Sequence, residues 1–240
     1  MAGLMKLIIY ILILSHLGLS VHAAEWSNTS VSYLTGQSYR NVNDTVDSYQ
    51  ILTLEHASAW RYGDNYFFTD ISDFNSDNTQ AYTEWSSRFS SHKILKKNYA
   101  HKYLEDVLLA TQVNFTPGGS RVDLIGAGLD LKVPLFDFVQ LNAYLRNNND
   151  LSGSTYQLTL AWQARFTKTV NWKFSGFMDL AGSEGSGANK SNQNFLMQSQ
   201  FTWVANKEFE LGLEYLYWSN KYGIKDLDES VPQIIAKWNL

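Results

Sequence analysis

The sequence predicts an all-β chain, a transmembrane antiparallel β-barrel of 12 strands, from three observations. Apolar and polar residues alternate along most of the chain, the mark of strands whose two faces meet different surroundings. The alternating segments are long: Thr155 to Phe166 runs unbroken, where about 5 or 6 residues suffice in a soluble sheet and about 9–11 cross a bilayer at a tilt. Aromatic residues make up 15% of the chain, enough to furnish a girdle at each membrane interface.

The hairpin from Thr155 to Leu180 shows the pattern best. Tyr156, Leu158, Leu160, Trp162, Ala164 and Phe166 oppose Thr155, Gln157, Thr159, Gln163 and Arg165. Beyond a turn at Thr167-Lys168-Thr169, Trp172, Phe174, Met178 and Leu180 oppose Asn171, Lys173, Ser175 and Asp179. A soluble sandwich strand with one wet face is the alternative.

From the start, Met1 to Ala23 reads as a secretory signal peptide, with Lys6, an apolar core from Leu7 to Leu14 and small residues before the expected cut. Residues 24–240 then form the barrel. Strands are expected near Ser27–Gly36, Tyr49–Trp60, Asn65–Asp73, Tyr82–Ser91, within Lys102–Phe115, and at Arg121–Leu131, Phe138–Arg146, the two arms of the hairpin, Asn194–Trp203, Phe209–Trp218 and Pro232–Leu240. Arg61-Tyr62-Gly63-Asp64 and Pro117-Gly118-Gly119 supply turns. An even count places both termini on the periplasmic side of a bacterial barrel, so connections should alternate between long and short. Most do, His92–His101 and Pro117–Ser120 excepted, and Gly182–Gly187 reads as a flexible polar loop. The last residues alternate to the end, as expected of a closing strand.

Composition excludes several classes. There is no cysteine, hence no disulfide scaffold or thiolate site. A net charge of −4 names no nucleic-acid polymer as partner. After the signal no apolar run approaches the length of a spanning helix. An enzyme is not expected: the chain after residue 23 has only His56, His92 and His101 to serve a barrel hydrolase, His56 on the lipid side and the other two in a periplasmic connection. No cofactor is expected, since neither zinc or calcium spacing nor a Gly-rich phosphate loop appears.

Tyr82-Thr-Glu-Trp-Ser-Ser-Arg-Phe-Ser-Ser-His-Lys93 resembles a Tyr-x-Glu-x-Ser-x-Arg-x-Ser segment of the Tsx-like nucleoside-specific channel-forming proteins. Ser30 to Gly36, Asn43-Asp44-Thr45, Asp70 to Phe74 and Gly126-Ala-Gly-Leu-Asp130 before Pro134 are similar to that family in the same order. The resemblance implies a twelve-stranded barrel in the outer membrane of a Gram-negative cell, and the chain is expected to act as a monomer that passes small polar solutes, with nucleosides as candidates among them. A surface barrel serving as a phage or host-contact receptor with little transport is the alternative.

With Trp85, Ser87 and Phe89 toward lipid, Glu84 and Arg88 face the lumen. The same phase turns Glu55, Tyr66, Phe68 and Asp70 inward, so three neighbouring strands bring carboxylates, an arginine and two rings to one wall. Rings offer a stacking face to a nucleobase and polar groups replace water lost by a ribose. The plainer expectation is that Glu55, Asp70, Glu84 and Arg88 pair across strands to hold the wall. Tyr144, Arg146, Arg165 and Lys173 are further inward candidates.

Overall fold

The computed structural model describes residues 24–76, 79–97, 101–166 and 171–240. The expected signal peptide and the turn at 167–169 lie outside the described residues. Twelve antiparallel strands close into one barrel: β1 (Trp26–Arg40), β2 (Val46–Trp60), β3 (Gly63–Ser72), β4 (Gln80–Ser90), β5 (Leu104–Phe115), β6 (Arg121–Leu131), β7 (Phe138–Asn148), β8 (Thr155–Phe166), β9 (Trp172–Ala181), β10 (Asn194–Val204), β11 (Phe209–Ser219) and β12 (Glu229–Asn239). Each strand pairs with its sequence neighbours, and β1 pairs with β12, so no sheet edge is left open. The expected all-β class and count of 12 are borne out, and a two-layer sandwich is not what forms.

Register shows why the alternation matters. Cross-strand partners share a face, and the chain Ser30, Glu55, Phe68, Glu84, Asn114, Val122 is one such set from β1 to β6. The set continues as Tyr144 with Gln157, Asp179 with Leu196, Gln200 with Glu214, and Lys237 with Ser32. Its members point inward. Arg88, Glu214 and Gln233 are at most 4% exposed, whereas Trp85, Leu213, Ile234 and Trp238 on the opposite faces are 58–60% exposed. This inverts the burial of a soluble fold: polar groups fill the centre and apolar ones cover the outside, as a lipid solvent requires. Phe166, Trp172 and Trp203 are in register on the outer face near the end that carries both termini. Phe115, Tyr156, Phe195 and Tyr217 stand near the opposite ends of their strands.

Several strands run beyond their expected limits. β1 continues to Arg40 through a bulge between Gln37 and Tyr39, with Ser38 at φ 75°, and the extra residue keeps Tyr39 on the inner face. β12 begins at Glu229 and includes Pro232, which the missing N–H should confine to a place without a ladder bond. That place exists, because pairing with β1 ends at Gln233. At the terminal end the His92–His101 connection opens with a short helix, α1 (Ser91–Leu95), whose Lys93 N–H is capped by the Ser90 hydroxyl.

Candidate functional site

The lumen is organised in levels. At the loop end Tyr39 stacks on Tyr49 with centroids 3.9 Å apart, and its hydroxyl donates to Gln233 at 2.6 Å. Gly36 lies beneath, where a Cβ would stand 2.9 Å from that hydroxyl and 2.8 Å from Val231. Lys221 reaches in from the connection after β11 and pairs with Glu229 at 2.6 Å, both side chains at most 3% exposed. Burial holds the Lys221 ammonium below the usual lysine range, against the pull of Glu229. Arg146 pairs with Glu184 at 2.5 Å, and Glu184 also accepts the Asn148 N–H. Glu184 lies within the Gly182–Gly187 stretch expected to be merely flexible. Its buried carboxylate instead ties that connection to the barrel mouth. A cleft of about 370 Å³ lies at this mouth, lined by residues including Arg40, Asp47, Tyr49, Asp73 and Tyr222.

Midway, Phe68 of β3 and Phe177 of β9 meet across the interior with centroids 6.5 Å apart. Their strands are six apart in a ring of twelve, on opposite walls. Tyr66 and Tyr82 each stand 6.0 Å from Phe68. The four rings form a waist. Tyr66 donates to Glu55 at 2.9 Å and Tyr82 to Glu84 at 2.5 Å. Around the waist, Asp70 accepts from Thr53 at 2.5 Å and Asp179 from Thr159 at 2.5 Å. Glu84 also accepts from Gln112 at 2.9 Å and Asn114 at 3.0 Å, and Glu214 from Gln200 at 2.7 Å and Gln233 at 2.9 Å.

Toward the termini three cations are each paired. Arg88 forks onto Asp64, at 2.6 and 2.8 Å, and reaches Asp130 at 2.8 Å. Lys237 pairs with Glu55 at 2.7 Å and Lys173 with Glu210 at 2.5 Å. Charge-assisted bonds of this kind satisfy ions that a confined lumen hydrates poorly.

A family profile for the nucleoside-specific channel-forming protein Tsx matches residues 22–238. The chain belongs to this family. No curated protein sequence matches it. Two similar solved structures are the KdgM porin, with a TM-score of 0.53 at 8% identity over 87% of this chain and 98% of that chain, and the KdgM porin in complex with disordered oligogalacturonate, with a TM-score of 0.51 at 9% identity over the same shares. At such identity they establish the fold. As a member of the Tsx family with a porin-like closed barrel, the chain is an outer-membrane channel for small solutes.

Within this Tsx-family barrel Glu55, Tyr66, Phe68, Asp70, Glu84 and Arg88 all belong to the inward register set, and of the cross-strand ion pairs expected there Arg88 and Glu55 form theirs, while Asp70 and Glu84 are held by hydrogen bonds from neutral donors. Arg88 takes its partners from β3 and β6. Glu55 likewise pairs with Lys237 of β12. Of the further inward candidates, Tyr144, Arg146 and Lys173 face inward, while Arg165 pairs with Asp137 at the exposed terminal rim. Phe177, Asp179, Glu214 and Lys237 escaped selection, although Phe177 carried a signal: it is the one large apolar residue in phase with Lys173, Ser175 and Asp179.

Proposed function

We propose that this barrel passes small polar solutes by diffusion and selects nucleosides among them at the waist formed by Tyr66, Phe68, Tyr82 and Phe177. The observation that carries the reading is the ring contact across the lumen at 6.5 Å. A planar nucleobase is the kind of solute that can slide between such faces, and carboxylates and amides around them offer acceptors and donors to a ribose. Glu55, Asp70 and Glu84 supply acceptors on the β2–β4 wall, and Arg88 tightens the terminal side of the path. The end carrying both termini faces the periplasm, the short amino-terminal segment serves export, and a single chain closes the pore, so a monomer suffices. The work of the chain is positioning and desolvation. Oligogalacturonate, the solute of the KdgM complex, is a polyanion and suits this acidic waist poorly.

Liposome swelling tests the proposal. Adenosine and thymidine should enter faster than galacturonate of comparable size, and Phe68→Ala should lower the preference for nucleosides more than total permeability. Equal loss of both would remove the stacking role. The closeness of the two phenylalanines favours one second reading, a nearly sealed barrel whose outer connections bind phage or host surfaces. Liposomes that admit none of these solutes would support it.

A further inference from the structure

Nucleoside binding uses the waist carboxylates only as hydrogen-bond acceptors and leaves their charge unused. Asp70 and Phe68 are successive inward positions on β3, as are Phe177 and Asp179 on β9, while Glu84 is the register partner of Phe68. Glu214 accepts from Gln200 and Gln233, and Gln200 in turn accepts from Lys237 at 3.2 Å. All four carboxylates are held by neutral donors, and among the described residues none joins an ion pair. Glu55, which accepts from Tyr66 at the waist, and Asp64, Asp130 and Glu210, nearer the termini, each do. The charges of Asp179 and Asp70 act on Glu84, and that of Asp70 on Glu214, while Lys237 and Arg146, each held in its own ion pair, act on Glu214 and Asp179 only from beyond pairing distance. No group of described residues converges as metal ligands do, so the ring suits a charge larger than a bare ion.

A second feature points into the same region. Tyr144 of β7 is 4% exposed, and among the described residues its hydroxyl has no hydrogen-bond partner. Its ring is seated among Ala110, Val122 and Leu124, and its hydroxyl feels the charge of Arg88 first and then those of Asp179 and Glu84. A buried hydroxyl without a partner costs free energy unless an incoming group satisfies it. Aromatic faces at the waist favour a weakly hydrated organic cation over a hydrated alkali ion.

We propose that the waist is a binding site for small organic cations, quaternary ammonium or protonated amine compounds with a polar arm, which contact Phe68 and Phe177, neutralise the ring of Asp70, Glu84, Asp179 and Glu214, and reach the Tyr144 hydroxyl. This rests on the lumen being the solute path described above.

Calorimetric titration of the full barrel with choline, in a maltoside detergent that carries no ammonium group, tests the site without requiring conduction. Saturable binding is expected, with sodium chloride giving none. Glu84→Gln and Phe177→Ala should each weaken it about tenfold, and Tyr144→Phe by less. Heat-modifiable migration on gels verifies that each variant is folded. Absence of saturable choline binding, or binding unchanged in a folded Glu84→Gln/Asp179→Asn variant, overturns the proposal. Nucleoside uptake by a barrel that ignores choline would sink the cation site alone, and choline binding by a barrel that admits no solute would sink the transport reading alone.

Discussion

Arg88 shows how much a single lumen residue decides. It is 3% exposed and holds two carboxylates from different strands, reaching Asp130 past the small side chain of Ala110, its register partner. Removing one member of a buried ion cluster leaves the others charged and unpaired. Arg88→Ala should therefore destabilise the barrel by about 3 kcal/mol, seen as a lower urea midpoint, and shift ion selectivity toward cations. An unchanged midpoint and selectivity would show that Asp64 and Asp130 find water enough without it. That Arg88 faces inward was legible from the alternation around Trp85 and Phe89. Its partners were not, because they come from positions 24 residues before and 42 after it, and only register brings them together. Phe177 was legible in principle, as a phenylalanine inside a polar phase, and its contact with Phe68 was not.

At the scale of the element, closure falls to β1 and β12. Both were expected, yet β1 runs four residues farther than its alternation suggested, to Arg40 instead of Gly36, because a bulge resets the phase and hides the continuation. β12 starts before Pro232, a residue that ordinarily argues against a strand, because the β1 ladder has already ended there. The place where the two strands meet tolerates little bulk. Gly36→Val would drive a side chain into Val231 and the Tyr39 hydroxyl, breaking the bond to Gln233. A loss of about 1–3 kcal/mol is expected from such overpacking, read as a lower temperature for the gel shift. A variant as stable as the native barrel would mean that Tyr39 can leave its place without cost. Deleting residues 229–240 should abolish the folded band, since β1 and β11 would both lose a partner strand.

For the whole molecule the governing fact is the division of side chains between lipid and lumen. Leu213 is 60% exposed on the outer face of β11, between the inward Gly212 and Glu214. Leu213→Arg should cost about 2–4 kcal/mol in a bilayer, whereas Gln198→Lys, on the lumen side of β10, should cost far less. Folding titrations into lipid vesicles would rank the two, and the reverse order would contradict the register. The barrel class could be read from the sequence because period two is a local property that every strand repeats. The waist could not, because it depends on which inward residues stand on opposite walls, and that follows from strand count and stagger.

The most direct test is single-channel current across a planar bilayer, recorded for the native barrel and for a Phe68→Ala/Phe177→Ala variant with and without adenosine. Discrete conductance steps that adenosine reduces in the native protein, with larger steps insensitive to adenosine in the variant, are the expected result. A native barrel that carries no current, or a variant whose conductance and response to adenosine match the native values, would contradict a solute path running between the two rings.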